Sequence, residues 1–95
     1  MGIFQEILRL KDDIDAKIVT LNRKAEKGRE FVNYLYSKPI VSIDDVVNIC
    51  KITPKSAISL VGDFEKLGIL KELTGYKRNR LFAFEDYLQL FQSKI

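Results

Sequence analysis

Apolar residues recur along the first part of the chain at helical spacing. Ile3, Ile7, Leu10, Ile14, Ile18, Leu21 and Ala25 are separated by 4, 3, 4, 4, 3 and 4 positions. That is a seam of the a/d type seen where helices pack lengthwise. Phe4 and Leu8 widen it at its start, and charged residues fill the other faces. The pattern predicts one long N-terminal helix over residues 3–25, with Gly28 marking its break. A second helix is expected over residues 29–37, with Phe31, Val32, Tyr34 and Leu35 turned inward. Pro39 ends it, because the residue before a proline is pushed out of the helical region.

Beyond Pro39 the pattern shortens. Residues 40–42 read as a short extended piece. Ser42 or Asp44 then caps a short helix running to about Cys50, with Val46, Val47 and Ile49 as its apolar side. Thr53-Pro54 is a strong helix start, a capping hydroxyl followed by a residue suited to the first turn. The helix it opens runs to about Leu67 and turns Ala57, Ile58, Leu60, Val61, Phe64 and Leu67 to the core. Gly68 stops it, since glycine accepts the left-handed conformation a helix exit needs. Two strands are expected at residues 69–74 and 81–84, joined by a hairpin tip at 75–80, and a last helix at 85–93. The expected fold is mainly α with a small antiparallel β-ribbon, a winged helix-turn-helix carrying a long N-terminal helix. Residues 1–28 form its N-terminal helical arm and residues 29–95 the winged domain.

Composition narrows the function. Ninety-five residues suit one domain, and an apolar fraction of 46% is that of a globular chain. The net charge of +3 is local: residues 68–80 carry Lys71, Lys77, Arg78 and Arg80 against Glu72, so the other residues sum to zero. The chain has no histidine and one cysteine. Triads built on histidine, histidine metal sites and zinc knuckles are thereby removed, and neither a cofactor nor a metal is expected. Asp12, Asp13 and Asp15 point in different directions on a helix and are flanked by Lys11 and Lys17, which makes them a solvated face. Asp44-Asp45 and Glu85-Asp86 sit where helix N-termini favour negative charge. Cys50 reads as a small buried hydrophobe, which suits a reducing, cytoplasmic compartment. No apolar run has the length of a membrane span, no signal peptide is visible, and Glu6 occupies the position where a myristoylation site wants Ser or Thr.

The order helix, strand, helix, tight turn, capped helix and strand pair is that of a helix-turn-helix followed by a wing. Within it, Pro39-Ile40-Val41-Ser42, Leu67-Gly68-Ile69-Leu70, Glu72, Thr74-Gly75, Arg78-Asn79-Arg80, Phe82, Phe84 and Tyr87-Leu88 stand in sequence. This stretch closely resembles the C-terminal winged-helix domain of Fic-family proteins, whose tail reads Pro-Ile/Val-Val-Thr and then LGIL-E-TG--RNR-Y-Y--YL. The likeness covers residues 39–91, and the TG-KRNR-F block is its most specific part. Phe82 and Phe84 stand where the family more often has Tyr. The N-terminal helix fits by pattern as the connector leaving a Fic catalytic core. The family's catalytic loop, His-Pro-Phe-x-Asp/Glu-Gly-Asn-Gly-Arg, and its inhibitory helix motif have no counterpart in this sequence. The resemblance therefore implies a non-catalytic regulatory domain, with a Fic AMP-transferase domain as a partner in the same or a parent chain.

Two functions follow. In the first, the domain binds double-stranded DNA. Lys77, Arg78, Asn79 and Arg80, with Tyr76 in support, form the contact surface of the wing, and Thr53, Lys55, Ser56 and Ser59 that of the recognition helix. Thr53 and the free amides of the first turn suit a phosphate. That helix has no arginine, and Lys55 and Lys66 are offset by Asp63 and Glu65, so base readout is weak. Against this stands a plainer reading, in which the hairpin tip is a solvated turn and Arg80 pairs with Glu72 across the strands. In the second function the domain is an interaction module. The seam of Ile3, Ile7, Leu10, Ile14, Ile18 and Leu21 needs cover, from a second copy in a homodimer, from a catalytic domain, or from the domain itself if the helix folds back. Gly62, inside the capped helix, is accounted for by neither function: it permits close packing or marks a bend.

Overall fold

The structure is a computed structural model that describes residues 2–74 and 80–92. Among these residues are five α-helices, α1 (Ile3–Val19), α2 (Ala25–Ser37), α3 (Ile43–Cys50), α4 (Pro54–Lys66) and α5 (Glu85–Gln92), and three short strands, β1 (Ile40–Ser42), β2 (Lys71–Glu72) and β3 (Leu81–Ala83). The chain is mainly helical, as the periodicity requires, and its small antiparallel sheet has the order β1-β3-β2.

The first departure from expectation is the length of α1, which stops at Val19 rather than continuing through residue 25. The Thr20 hydroxyl donates to the Lys17 carbonyl at 2.6 Å, and the Leu21 amide donates to Ile18 at 2.9 Å. Asn22 then takes a positive φ of 56° and opens a single 3₁₀ turn, Asn22–Lys24. Asparagine is one of the few residues that tolerates this conformation. The apolar seam survives the break because the turn delivers Ala25 to the core at the start of α2. Gly28 is not the break. It lies buried within α2, and a β-carbon there would sit 3.2 Å from Ile18 Cγ2 and 3.3 Å from Leu21 Cδ1, so its role is close helix packing.

The remaining elements are set by caps. Ser42 closes a reciprocal capping box at the start of α3, its hydroxyl accepting from the Asp45 amide at 3.2 Å while its amide donates to Asp45 Oδ2 at 2.9 Å. Thr53 caps α4, accepting from the Ser56 amide at 3.1 Å, with Pro54 in the first turn. At the other end Gly68 has φ of 77°; its amide donates to Glu65 O, and the Ile69 amide donates to Phe64 O. That pair of bonds is the Schellman exit. Ile69 and Leu70 are thereby buried in the exit, which leaves β2 only two residues.

The extended piece after Pro39 is a strand in its own right. Ile40, Val41 and Ser42 lie opposite Ala83, Phe82 and Leu81, so β3 is the central strand of a three-stranded sheet rather than half of a ribbon. Register puts Val41 and Phe82 on the core face and Ile40 and Leu81 on the outer face. One core runs through the described residues. Ile14 and Ile18 of α1 belong to it together with Phe31, Val46, Phe64 and Phe82, and the rings of Phe31 and Phe64 are 4.7 Å apart. α1 and the start of α2 are thus packed into this core, with α1 lying against α2 and α5. No helix among the described residues is long and apolar enough to cross a membrane.

Candidate nucleic-acid interface

α3 and α4 meet across the turn at Lys51, Ile52 and Thr53. Lys51 holds a left-handed φ of 55°, a conformation that costs a non-glycine residue about 1–2 kcal/mol. Its amide donates to the Val47 carbonyl, closing α3, and its side chain is exposed beside the start of α4. α4 buries Ala57, Leu60, Val61 and Phe64 and leaves the opposite side to solvent. Thr53, Lys55, Ser56 and Ser59 are all exposed on its first two turns. Ile58, expected in the core, is instead 53% exposed among them, because the helix rotates Ala57 and Leu60 inward and carries it outward. Gly62 lies on the same side with no atom within 4 Å of a β-carbon built there, so among the described residues neither packing nor a clash requires glycine at that position.

A basic cluster absent from the sequence-based site adjoins this surface. Arg23, Lys24 and Lys27, from the 3₁₀ turn and the first turn of α2, face Ser56 and Ser59 across a cleft of about 220 Å³ floored in part by Leu60. Lys24 Nζ donates to Ser59 Oγ at 2.6 Å and to Asp63 Oδ2 at 2.8 Å. Lys27 Nζ donates to the Cys50 carbonyl at 3.0 Å and lies 3.4 Å from Glu30 Oε2. Three cations within residues 23–27 are visible in the sequence, but Glu26 and Glu30 offset two of them in a charge sum. Only the packing of α2 against α3 and α4 shows that the cations reach the same cleft.

On the hairpin, Arg80 lies against Glu72, with Nε 3.0 Å from Oε2 and Nη2 2.8 Å from Oε1, and its guanidinium sits 5.0 Å over the Phe82 ring. The Glu72 hydrogen bonds push the already high pKa of Arg80 further up. The plainer reading of this arginine is the one the geometry realises, and Arg80 is not a free cation at the tip. Tyr76, Lys77, Arg78 and Asn79 lie outside the described residues.

The apolar seam is largely internal. Ile14 and Ile18 are fully buried, and Leu10 and Leu21 are partly buried against the core. Ile7 is half-buried, and the side chain of Ile3 lies outside what is described. Of the covers open to this row, the domain itself supplies one: α2, α5 and the core already cover its centre. What α1 does expose is Phe4 at 70% and Leu8 at 46%, which widen the seam at its start, together with Val19 at 60%.

Cys50 is buried, and burial pushes its thiol pKa up, with Glu30 adding to the rise and Lys27 opposing it. Among the described residues no group of His, Cys, Asp and Glu is placed to hold a metal ion. No protein-family model matches the chain and no curated protein matches it, so the likeness to the Fic tail rests on the residues quoted above.

Proposed function

We propose that the chain is a non-catalytic winged-helix domain that binds duplex DNA weakly, by phosphate contact and groove shape more than by base readout. It would localise or regulate an enzyme joined to it or partnered with it, and the Fic-like residues suggest an AMP-transferase. The carrying observation is α4: a helix held by a threonine cap, following α3 through a tight turn, with Thr53, Lys55, Ser56 and Ser59 exposed on its leading turns. The strand pair after it supports the winged-helix reading. A helix of this kind enters the major groove with its N-terminal residues foremost. The absence of arginine on α4 argues against strong base discrimination.

The test is fluorescence anisotropy of a labelled duplex over a salt series. Binding at low salt that weakens steeply as salt rises supports the proposal. Replacing Lys77 and Arg78 by Ala should weaken it further. A chain that leaves the duplex free even at low salt does not have this function. A second reading, a protein-interaction module, is favoured by the exposed Phe4, Leu8 and Val19 of α1. Sedimentation of the chain, alone and with Leu8→Ala, separates the two: association abolished by that change belongs to the second.

A further inference from the structure

Resting on that reading, the cleft between Arg23, Lys24 and Lys27 and the leading turns of α4 has a chemistry of its own. Three cations and two hydroxyls line it, with Asp63 2.8 Å from Lys24 Nζ and Glu30 3.4 Å from Lys27 Nζ. At about 220 Å³ it is smaller than the roughly 300–1,000 Å³ of pockets that enclose a whole small ligand. It suits one anionic group of something larger.

The polar atoms are also suitably committed. The Ser59 hydroxyl accepts from Lys24, and the Ser56 hydroxyl accepts from the Thr53 hydroxyl at 3.0 Å. Each serine therefore keeps its own proton to donate. Lys24 and Lys27 are anchored, by Asp63 and by the Cys50 carbonyl respectively, so little side-chain freedom remains to be given up on binding. Arg23 has no hydrogen-bond or ion-pair partner among the described residues, which leaves its two-pronged donor face available.

We propose that this cleft is a phosphodiester-binding site, in which Arg23, Lys27, Ser56 and Ser59 grip a backbone phosphate of the duplex whose groove α4 enters. The strand contact would then come from the α2 side of α4, in addition to any contact by the wing. Lys24, already bonded to Ser59 and Asp63, positions the Ser59 hydroxyl and adds field rather than a free charge.

The experiment compares salt dependence in three proteins: the unaltered chain, an Arg23→Gln/Lys27→Gln variant, and a Lys11→Gln/Lys38→Gln control. The control removes the same charge near the far end of α2. Glutamine at 27 keeps a donor for the Cys50 carbonyl. The cleft variant should bind more weakly, with a plot of log affinity against log salt shallower by about 2, one for each cation that no longer displaces a counterion from the duplex. The control should retain the original slope. If the duplex binds and the cleft variant keeps the unaltered slope, or the control flattens equally, the cleft is not a phosphate site while the DNA-binding reading stands. If the unaltered chain fails to bind duplex at low salt, both fall. Should the double variant melt early, Arg23→Gln alone carries the test, with an expected slope change of about 1.

Discussion

Arg80 and Glu72 are joined by two parallel hydrogen bonds of 3.0 and 2.8 Å across the β2–β3 pair, with the guanidinium laid over Phe82. A bidentate pair stacked on an aromatic ring ties the hairpin base to the core. Both side chains are partly exposed, at 34% and 21%, so the pair contributes on the order of 1 kcal/mol or less. Glu72→Gln should lower stability by about that much, and Arg80→Lys should lower it too, since an ammonium makes neither the fork nor the same stacking. Urea midpoints at constant slope would show this. A destabilisation absent in both variants would mean the pair holds nothing.

The two helical glycines should respond in opposite directions. At Gly28 a side chain meets Ile18 and Leu21 at 3.2 and 3.3 Å and the Phe64 ring at 3.6 Å. Gly28→Val should cost roughly 1–3 kcal/mol through overpacking. At Gly62 a β-carbon meets nothing within 4 Å, and the backbone is helical. Gly62→Ala should raise stability by up to about 1 kcal/mol, from helix propensity and a less flexible unfolded chain. Thermal melts of the two variants decide it, and a Gly62→Ala protein that melts lower than the parent refutes the open-space account.

α1 offers a second contrast. Ile18 is fully buried among core residues, so Ile18→Ala should cost about 2–5 kcal/mol and threaten folding of the whole chain. Phe4 is 70% exposed, and Phe4→Ala should change monomer stability by no more than about 0.5 kcal/mol. If α1 were a detachable arm, Ile18→Ala would leave the melting of the remainder unchanged, and that result would separate α1 from the core.

Tyr36 provides a pH dependence. Its ring packs 5.5 Å from Phe84 and 5.3 Å from Tyr87, with Lys11 Nζ 4.9 Å above it. Burial, with Asp15 and Tyr87 adding to it, pushes the phenol pKa from 10.0 to about 12. The folded chain thus holds this proton more tightly than the unfolded chain does. The resulting stability is present below pH 10.0 and is lost as pH rises toward about 12. Denaturation curves across that window should fall more steeply for the parent than for Tyr36→Phe, which lacks the titrating group. Equal slopes in the two proteins would place the phenol in water.

Local signals in the sequence carried the helix ends and the core. Thr53-Pro54 and Gly68 bound α4 where a capping hydroxyl and a left-handed exit require, and Ser42 opens α3. Those are contacts between residues three to five apart, so neighbouring letters suffice to specify them. The 3.6-residue rhythm likewise placed Phe31, Leu35, Leu60, Val61 and Phe64 inside. What the letters could not carry was how faces meet. The seam of α1 looked unpartnered because α2 and α5, which cover it, are distant in the chain or follow a turn that periodicity reads straight through. Residues 40–42 became a strand only through their pairing with β3, a non-local hydrogen-bond ladder. The cleft formed in the same way: Arg23, Lys24 and Lys27 look partly offset by Glu26 and Glu30 in a charge sum, because a sum ignores direction. Tertiary packing turns these cations toward Ser56 and Ser59, which lie far along the chain from them. Periodicity and caps are short-range physics and can be read along a chain; the meeting of two surfaces depends on long-range packing and exists only once the chain has folded.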